Sequence, residues 1–433
     1  MLKYLIYILV GLSSVIILWW FIADDQVWEE RSYVGFEQFQ DLEKEFQNLF
    51  LLAEDSQTIT LPAGYFKFTK SLILDGKNHI TIKGAGIDKT ILSFKEQTDG
   101  AEGIKIANAR NITLDGFTVQ DAKGDNIKMH QVDTLNCLNI KSEWTHSPDP
   151  TNGAYAIYPV LCNNVLIEGC IAARSSDAGI YVGQSKDVII RHNIAYENVS
   201  GFNIENTTNI EIYKNEAFHN TVGIHIIELP GLMAYGKNAK VHHNKIYENN
   251  LDNFAPKGNI AAESPAGTGI MLFGSKNTEV FENEIRNQPL SVIIASYLVM
   301  LVDENEATVN EDTHERNIEE GESQLGLSVN NENYKKDKNF DPYPYGIHLH
   351  DNTYDFGAFR KLFKSEIGTL IGLKFCLNPP DIIFDGHFKP GLKEKEILCI
   401  EENTKPVFLN ADIPGDMKNI STDMSNFDCS IDQ

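Results

Sequence analysis

The chain has 433 residues, 42% of them hydrophobic, and a formal charge of −24. That length admits one large solenoid with terminal additions, or two to three ordinary domains. The acidic balance argues against nucleic acid or anionic lipid headgroups as general partners. The charge is uneven, however. Residues 303–322 hold nine acids against Arg316, so a local positive site elsewhere stays open.

Tyr4 to Ala23 is an uncharged run of 20 residues, preceded by Lys3 and followed by Asp24-Asp25. It is long enough to cross a bilayer as a helix. Lys3 favours a cytoplasmic N-terminus, and Trp19, Trp20 and Phe21 would meet the outer interface. A cleaved signal peptide is the rival reading. Against it stand the length of the run and the poor cleavage site at Phe21-Ile22-Ala23. Residues 1–25 are read as a transmembrane signal anchor, with the bulk of the chain in the periplasm or outside the cell. Residues 26–54 are read as a linker and a capping helix. In that helix Phe36, Phe39, Leu42, Phe46 and Leu49 recur at three- and four-residue steps. It is expected to cover the open end of a β stack.

Residues 55–300 are one short unit repeated. Alternating runs begin at Ile80, Ile112, Leu135, Val165, Val188, Ile210, Val241 and Val280, at steps of 32, 23, 30, 23, 22, 31 and 39 residues. The base period is about 22–23 residues, with insertions in the longer steps. A second anchor is Gly-Ile-x-apolar or Gly-Phe-x-apolar at Gly103, Gly179, Gly201, Gly223, Gly269 and Gly346, where glycine is expected to permit a sharp turn. Asparagines recur at Asn193, Asn215, Asn244 and Asn283, and at Asn198, Asn220 and Asn249. Such side chains bond from rung to rung and tolerate left-handed turns. Three strands per repeat with a Gly corner and an Asn corner describe an all-β fold, a right-handed parallel β-helix.

Residues 301–340 read as an acidic, mobile loop insertion, 341–360 as a final rung, and 361–433 as an irregular C-terminal cap. Of six cysteines, Cys137 and Cys170 occupy strand positions that suit a small buried hydrophobe. A disulfide is expected among Cys376, Cys399 and Cys429, with Cys376–Cys399 as the first candidate.

Three stretches carry a family likeness: Thr151-Asn-Gly-Ala-Tyr-Ala-Ile-Tyr-Pro-Val, Ser176-Asp-Ala-Gly-Ile-Tyr-Val-Gly-Gln-Ser and Glu228-Leu-Pro-Gly-Leu. Through them the chain resembles the right-handed parallel β-helix repeat superfamily. That group includes pectate and alginate lyases, mannuronan C5-epimerases and the periplasmic accessory protein of nitrous oxide reductase. The nearest likeness is to an extracytoplasmic β-helix family of unassigned function. It covers about residues 55–300 and resumes at Asp341, and it implies the fold more than any activity.

In a parallel β-helix, equivalent residues stack in columns about 4.8 Å apart. The outward column of the Gly-Ile-x-apolar strand reads Lys105, Lys128 with His130, Tyr158, Tyr181 with Gln184, Asn203 with Glu205, His225, Met271, and His348 with His350. Proton abstraction from C5 of a uronate needs a group that neutralises the carboxylate, a base and an acid. Lys128 or Asn203 suits the first role, His130 or His225 the second, Tyr158 or Tyr181 the third. Hydrolysis would instead use a carboxyl pair, Glu205 with Asp177 or Glu228. Glu205, Gln184, Trp144 and Arg174 are candidate substrate contacts. For Trp144 packing on the insertion 145–153 is the alternative, and for Arg174 a turn salt bridge with Asp177. His242-His243 lack a further ligand at diagnostic spacing, so no metal site is assigned and any cofactor is left open. The expected function is binding or modification of a polysaccharide by lyase- or epimerase-like chemistry. The alternative is a non-catalytic accessory module serving a periplasmic enzyme or a surface complex.

Overall fold

The computed structural model describes residues 33–301, 331–356, 375 and 379–430. It divides into a short unit up to Gln38, with a 3-10 turn at Phe36–Gln38, and a large unit from Phe39 onward. The large unit is an all-β coil of parallel strands, three to a rung. A representative rung runs Ala178–Gly183, Lys186–Arg191 and Ile194–Tyr196, and each strand pairs with its counterpart about 22 residues further on. We call the three ladders the first, second and third sheets. No helix among the described residues is long and apolar enough to cross a membrane. The expected anchor at residues 4–23 lies outside the described residues.

Inward positions carry the apolar half of each alternation. Ile180, Val182, Phe202, Ile204, Ile224, Ile226, Ile270 and Leu272 belong to one continuous buried core. Burying such a side chain stabilises by about 1.5–3 kcal/mol, and each rung gains it only against its neighbours.

Two asparagine ladders close the corners as expected. Asn193, Asn215, Asn244, Asn283 and Asn352 are joined amide to carbonyl at 2.9–3.1 Å. Asn198, Asn220, Asn249 and Gln288 form the second at 2.9–3.0 Å. The left-handed residue at these corners is not the asparagine but the one before it, such as His192, Glu197, Lys214 or His219. The anchor glycines also act differently from the turn role expected. Gly179, Gly201 and Gly223 have ordinary φ, but a Cβ on Gly201 would lie 2.7 Å from the carbonyl oxygen of Gly223, and one on Gly223 2.6 Å from that of Gly269. Glycine is needed there for close approach of rungs.

Gly346 belongs elsewhere. It has φ 66° and pairs within the second sheet, since Tyr345–His350 lies between Lys276–Phe281 and Leu398–Glu401. Its place corresponds to Asn277, another left-handed position of that sheet. His348 and His350 are therefore not part of the first-sheet column in which the sequence pattern put them.

The N-terminal end is covered by a helix, Glu43–Leu51, shorter than the pattern implied. Its buried face is Phe46 and Phe50, with Phe46 packed on Phe66 and Phe68, while Leu49 faces outward. At the other end the ladders continue past residue 360. Ile382–Phe384 pairs with residues 292–294, Leu398–Glu401 with 347–350, and Phe408–Asn410 with Ile382–Phe384. Long connections between these strands hide the period. The disulfide joins Cys399 to Cys429 rather than to Cys376, which lies outside the described residues. Cys137, Cys162 and Cys170 are free, buried thiols. Of the acidic insertion, residues 302–330 lie outside the described set. Its end carries the helix Asn331–Lys336 and the buried Phe340, which packs on Tyr297.

Candidate acid–base site on the first sheet

Outward residues of a sheet ordinarily meet water. In the second sheet they do: Lys186–Arg191, Thr208–Tyr213 and Lys237–His242 alternate between buried and open positions. In the first sheet Tyr155–Val160, Ala178–Gly183, Ser200–Glu205 and Val222–Ile227 are buried on both faces. Part of the cover is the segment 229–236, which an Asn206 amide holds through the carbonyls of Leu229 and Ala234, and Gln184 through the Met233 N–H.

The register assembles the expected column. Lys105 lies beside Lys128 and Lys128 beside Tyr158; Tyr181 lies beside Asn203, Asn203 beside His225, and His225 beside Met271. Tyr158 and Tyr181 occupy adjacent rungs, their rings 4.9 Å apart. Two apolar clusters lie on the outer face. One is Tyr155, Tyr158, Val160, Ala178 and Tyr181; the other includes Ile227, Leu229, Phe273, Ile293 and Phe340. Asn203 and Glu205 stand on the rung between them, and His225 on the rung that carries Ile227.

Two phenol–carboxyl pairs flank the tyrosines. Tyr181 donates to Glu205 Oε1 at 2.8 Å, and Tyr155 to Asp177 Oδ2 at 3.2 Å. The ring of Tyr155 lies 4.5 Å from that of Tyr158 and 4.6 Å from that of Tyr181. All these groups are between 0% and 8% exposed. Burial disfavours charge. It pushes the carboxyls of Asp177 and Glu205 up to about 7 each, against the lowering effect of their tyrosine bonds. Burial raises the Tyr155 and Tyr181 phenols, and takes His225 down to about 4, so its imidazole is neutral at neutral pH. Glu228 is also raised by burial, more than Lys276 at 4.0 Å lowers it.

Four buried atoms here make no hydrogen bond: Asn203 Oδ1, His225 Nε2, Asp177 Oδ1 and Glu228 Oε2. Each such atom costs about 1–3 kcal/mol unless a water or a ligand meets it, so Asn203, His225 and Asp177 offer polar atoms that a bound group could use.

Other expected residues have different partners. Lys128 Nζ lies 3.6 Å from Glu102 and 3.7 Å from Asp125, so its charge is already matched. It also sits 5.2 Å from the Tyr158 ring centre. His130 is half-buried, and burial followed by Lys128 and Lys105 lowers its pKa. Arg174 binds Glu197 at 2.6 Å; Asp177, its expected turn partner, bonds Tyr155 instead. Trp144 is inside the coil, where its indole donates to the Ala122 carbonyl at 2.9 Å and its ring sits against Gly153. It packs on the 145–153 insertion, the alternative to sugar stacking. Tyr155 was not singled out from sequence, because period 2 places it in the inward set with Ile157.

Residues 70–228 match the family model described as "Right handed beta helix region". Among solved structures, the A-module of the mannuronan C-5 epimerase AlgE4 from Azotobacter vinelandii superposes with a TM-score of 0.52. It is 13% identical over 84% of this chain and 91% of that one. The A-module of the AlgE6 epimerase from the same organism gives 0.50 at 14% identity, over 80% and 76%. No curated protein matches the sequence. At such identity the likeness is one of fold: the chain is a right-handed parallel β-helix, as its repeat implied.

Proposed function

We propose that this is a membrane-anchored, extracytoplasmic β-helix protein that binds a polysaccharide on the outer face of its first sheet. There it modifies the polymer by proton transfer at C5 of a uronate, as lyases and epimerases do. The observation that carries the reading is the Tyr181–Glu205 pair at 2.8 Å, with Glu205 titrating near 7. A base works best with a pKa near the working pH, and a phenol bonded to it supplies or takes the second proton. Asn203 and the neutral His225 stand one and two rungs beyond Tyr181. Asn203 is the group left to hold the sugar carboxylate, because Lys128 is matched by two acids. The fold shared with two mannuronan C-5 epimerase modules supports a uronate polymer as the substrate class. The anchor rests on the uncharged run at residues 4–23.

The near-complete burial of Tyr158 and Tyr181 favours a second reading. In it the same face is a packed interface of a non-catalytic accessory module. One experiment separates the two. Full-length protein is incubated with alginate, pectin and related glycans, and the product is followed by ultraviolet absorbance of unsaturated uronate and by the epimer ratio in proton NMR. Turnover that Tyr181→Phe abolishes supports the first reading. Folded protein that leaves every glycan unchanged sinks it in favour of the second.

A further inference from the structure

The second sheet carries a group of metal-binding side chains far along the coil from the tyrosine cluster. His348 and His350 are two apart on one strand and so face the same way. Glu279 lies directly beside His348 on the preceding rung, and Glu401 beside His350 on the next. His350 Nε2 is 3.2 Å from Glu279 Oε1, and His348 Nε2 is 3.4 Å from Glu401 Oε2. One ligand atom from each of Glu279, His348 and His350 falls within 4.8 Å of the others.

The 3.2 Å between Glu279 and His350 suits adjacent ligands of a four-coordinate metal, and a small side-chain rotation of His348 would complete the set. A tetrahedral Zn2+ with bonds near 2.0–2.1 Å holds its ligand atoms about 3.3 Å apart. Two further features match a metal centre better than a surface ion pair. First, Asp351 Oδ2 contacts His350 Nδ1 at 2.8 Å, which turns Nε2 toward Glu279. A carboxylate behind the outer nitrogen is the usual support of a metal-bound histidine. Asp351 is itself held by Asn403, and the His350 ring is stacked on Phe281 at 4.9 Å. Second, His348 Nε2 is buried and makes no hydrogen bond. Its contact with Glu401 Oε2 at 3.4 Å is an ion pair only when the ring is protonated, and in the neutral ring one nitrogen carries a lone pair that can ligate a metal.

We propose that Glu279, His348 and His350 bind a divalent transition metal, best matched by Zn2+, with the remaining position left to water or a ligand. Two imidazoles with carboxylates suit Zn2+ and leave too few oxygens for Ca2+ or Mg2+. Cys399, beside His348 in register, is in a disulfide and supplies no thiolate. Lys240 contacts Glu279 at 3.3 Å, but its side chain is 58% exposed and free to swing away. The ion would clip together rungs whose ligands, Glu279 and His350, are 71 residues apart in sequence. Closing so long an excursion is where a clip constrains the unfolded chain most.

The test uses full-length protein stripped with a chelator, then titrated with Zn2+ alone against a chromophoric competitor. The expected result is one saturable equivalent. His348→Ala, His350→Ala and Glu279→Gln should each weaken binding at least tenfold, and Asp351→Asn by about tenfold. Co2+ in the same site should give the visible absorption of a four-coordinate ion. Glu279→Gln keeps the shape of the side chain, so it reports on ligation should a histidine variant fail to fold. Absence of a saturable equivalent overturns the proposal. So does binding that survives His348→Ala and Glu279→Gln but is lost in His243→Ala, which would move the metal to the other histidine pair.

Discussion

The first and second sheets are built from one repeat and treat their outward residues oppositely. On the same rung-to-rung spacing, Tyr181 is fully buried while Ile189 is 37% exposed. The same contrast governs charge. Glu205 on the first sheet is raised to about 7 by burial. Glu279 on the second is held below the usual carboxylate range, because His350 and Lys240 outweigh its partial burial. Residue type does not separate these two glutamates. The cover over one face does, by turning a solvated carboxylate into a group that titrates near neutrality.

The contrast can be broken from its shared frame outward, and the largest effect belongs to that frame. Asn220 accepts from the backbone and amide of Asn198 and donates to Ala195 and Phe218. Asn220→Ala leaves several buried groups unpaired, and at about 1–3 kcal/mol for each it should lose more than about 3 kcal/mol in urea unfolding.

The second effect distinguishes the faces by pH. Glu205 has a folded pKa above its free value, so the folded state holds its proton more tightly. The stability this gives is present at acid pH and is lost as pH rises through about 7. Asp177 acts in the same direction. His225, lowered to about 4, acts the other way: its contribution is lost as pH falls from the ordinary histidine range toward 4. Thermal stability should therefore decline from pH 5 to pH 8, by up to roughly 3 kcal/mol from Glu205 at the 1.4 kcal/mol per unit of linkage. Glu205→Gln should flatten that decline. Glu279→Gln should leave it unchanged and instead reduce the loss of stability at acid pH, since a lowered carboxyl contributes only above its folded pKa.

Smaller effects follow. Trp144→Phe should cost about 1–2 kcal/mol in the same assay, by loss of its indole bond to Ala122. Ile189→Ala, on the open face, should change stability by less than about 0.5 kcal/mol in the same assay. An equal loss at Ile189 and at the buried Val188 beside it would mean that the second sheet is covered as well.

Much of this was legible in the chain. The period identified the inward isoleucines and the asparagine ladders, because stacking repeats one requirement at every rung. It also placed Tyr158, Tyr181, Asn203 and His225 in one column. What it could not show was cover. The segment 229–236, tied to Asn206 and Gln184, has no periodic signal, and period 2 marks Glu205 and His225 as outward without saying that they are buried. Gly346 misled because glycine serves two roles here, close approach at Gly201 and Gly223 and a left-handed corner at Gly346. The strands beyond residue 360 were hidden by long connections, and Trp144 by a strand parity that ends at the corner.

The measurement closest to the central claim is the infrared carbonyl band of protonated carboxyl groups, followed from pH 5 to pH 9 as a difference between the native chain and Glu205→Gln. The expected band, assigned to Glu205, falls by half near pH 7. A band already absent at pH 5 would contradict it, and would return Glu205 to the ordinary solvated carboxylates of the open face.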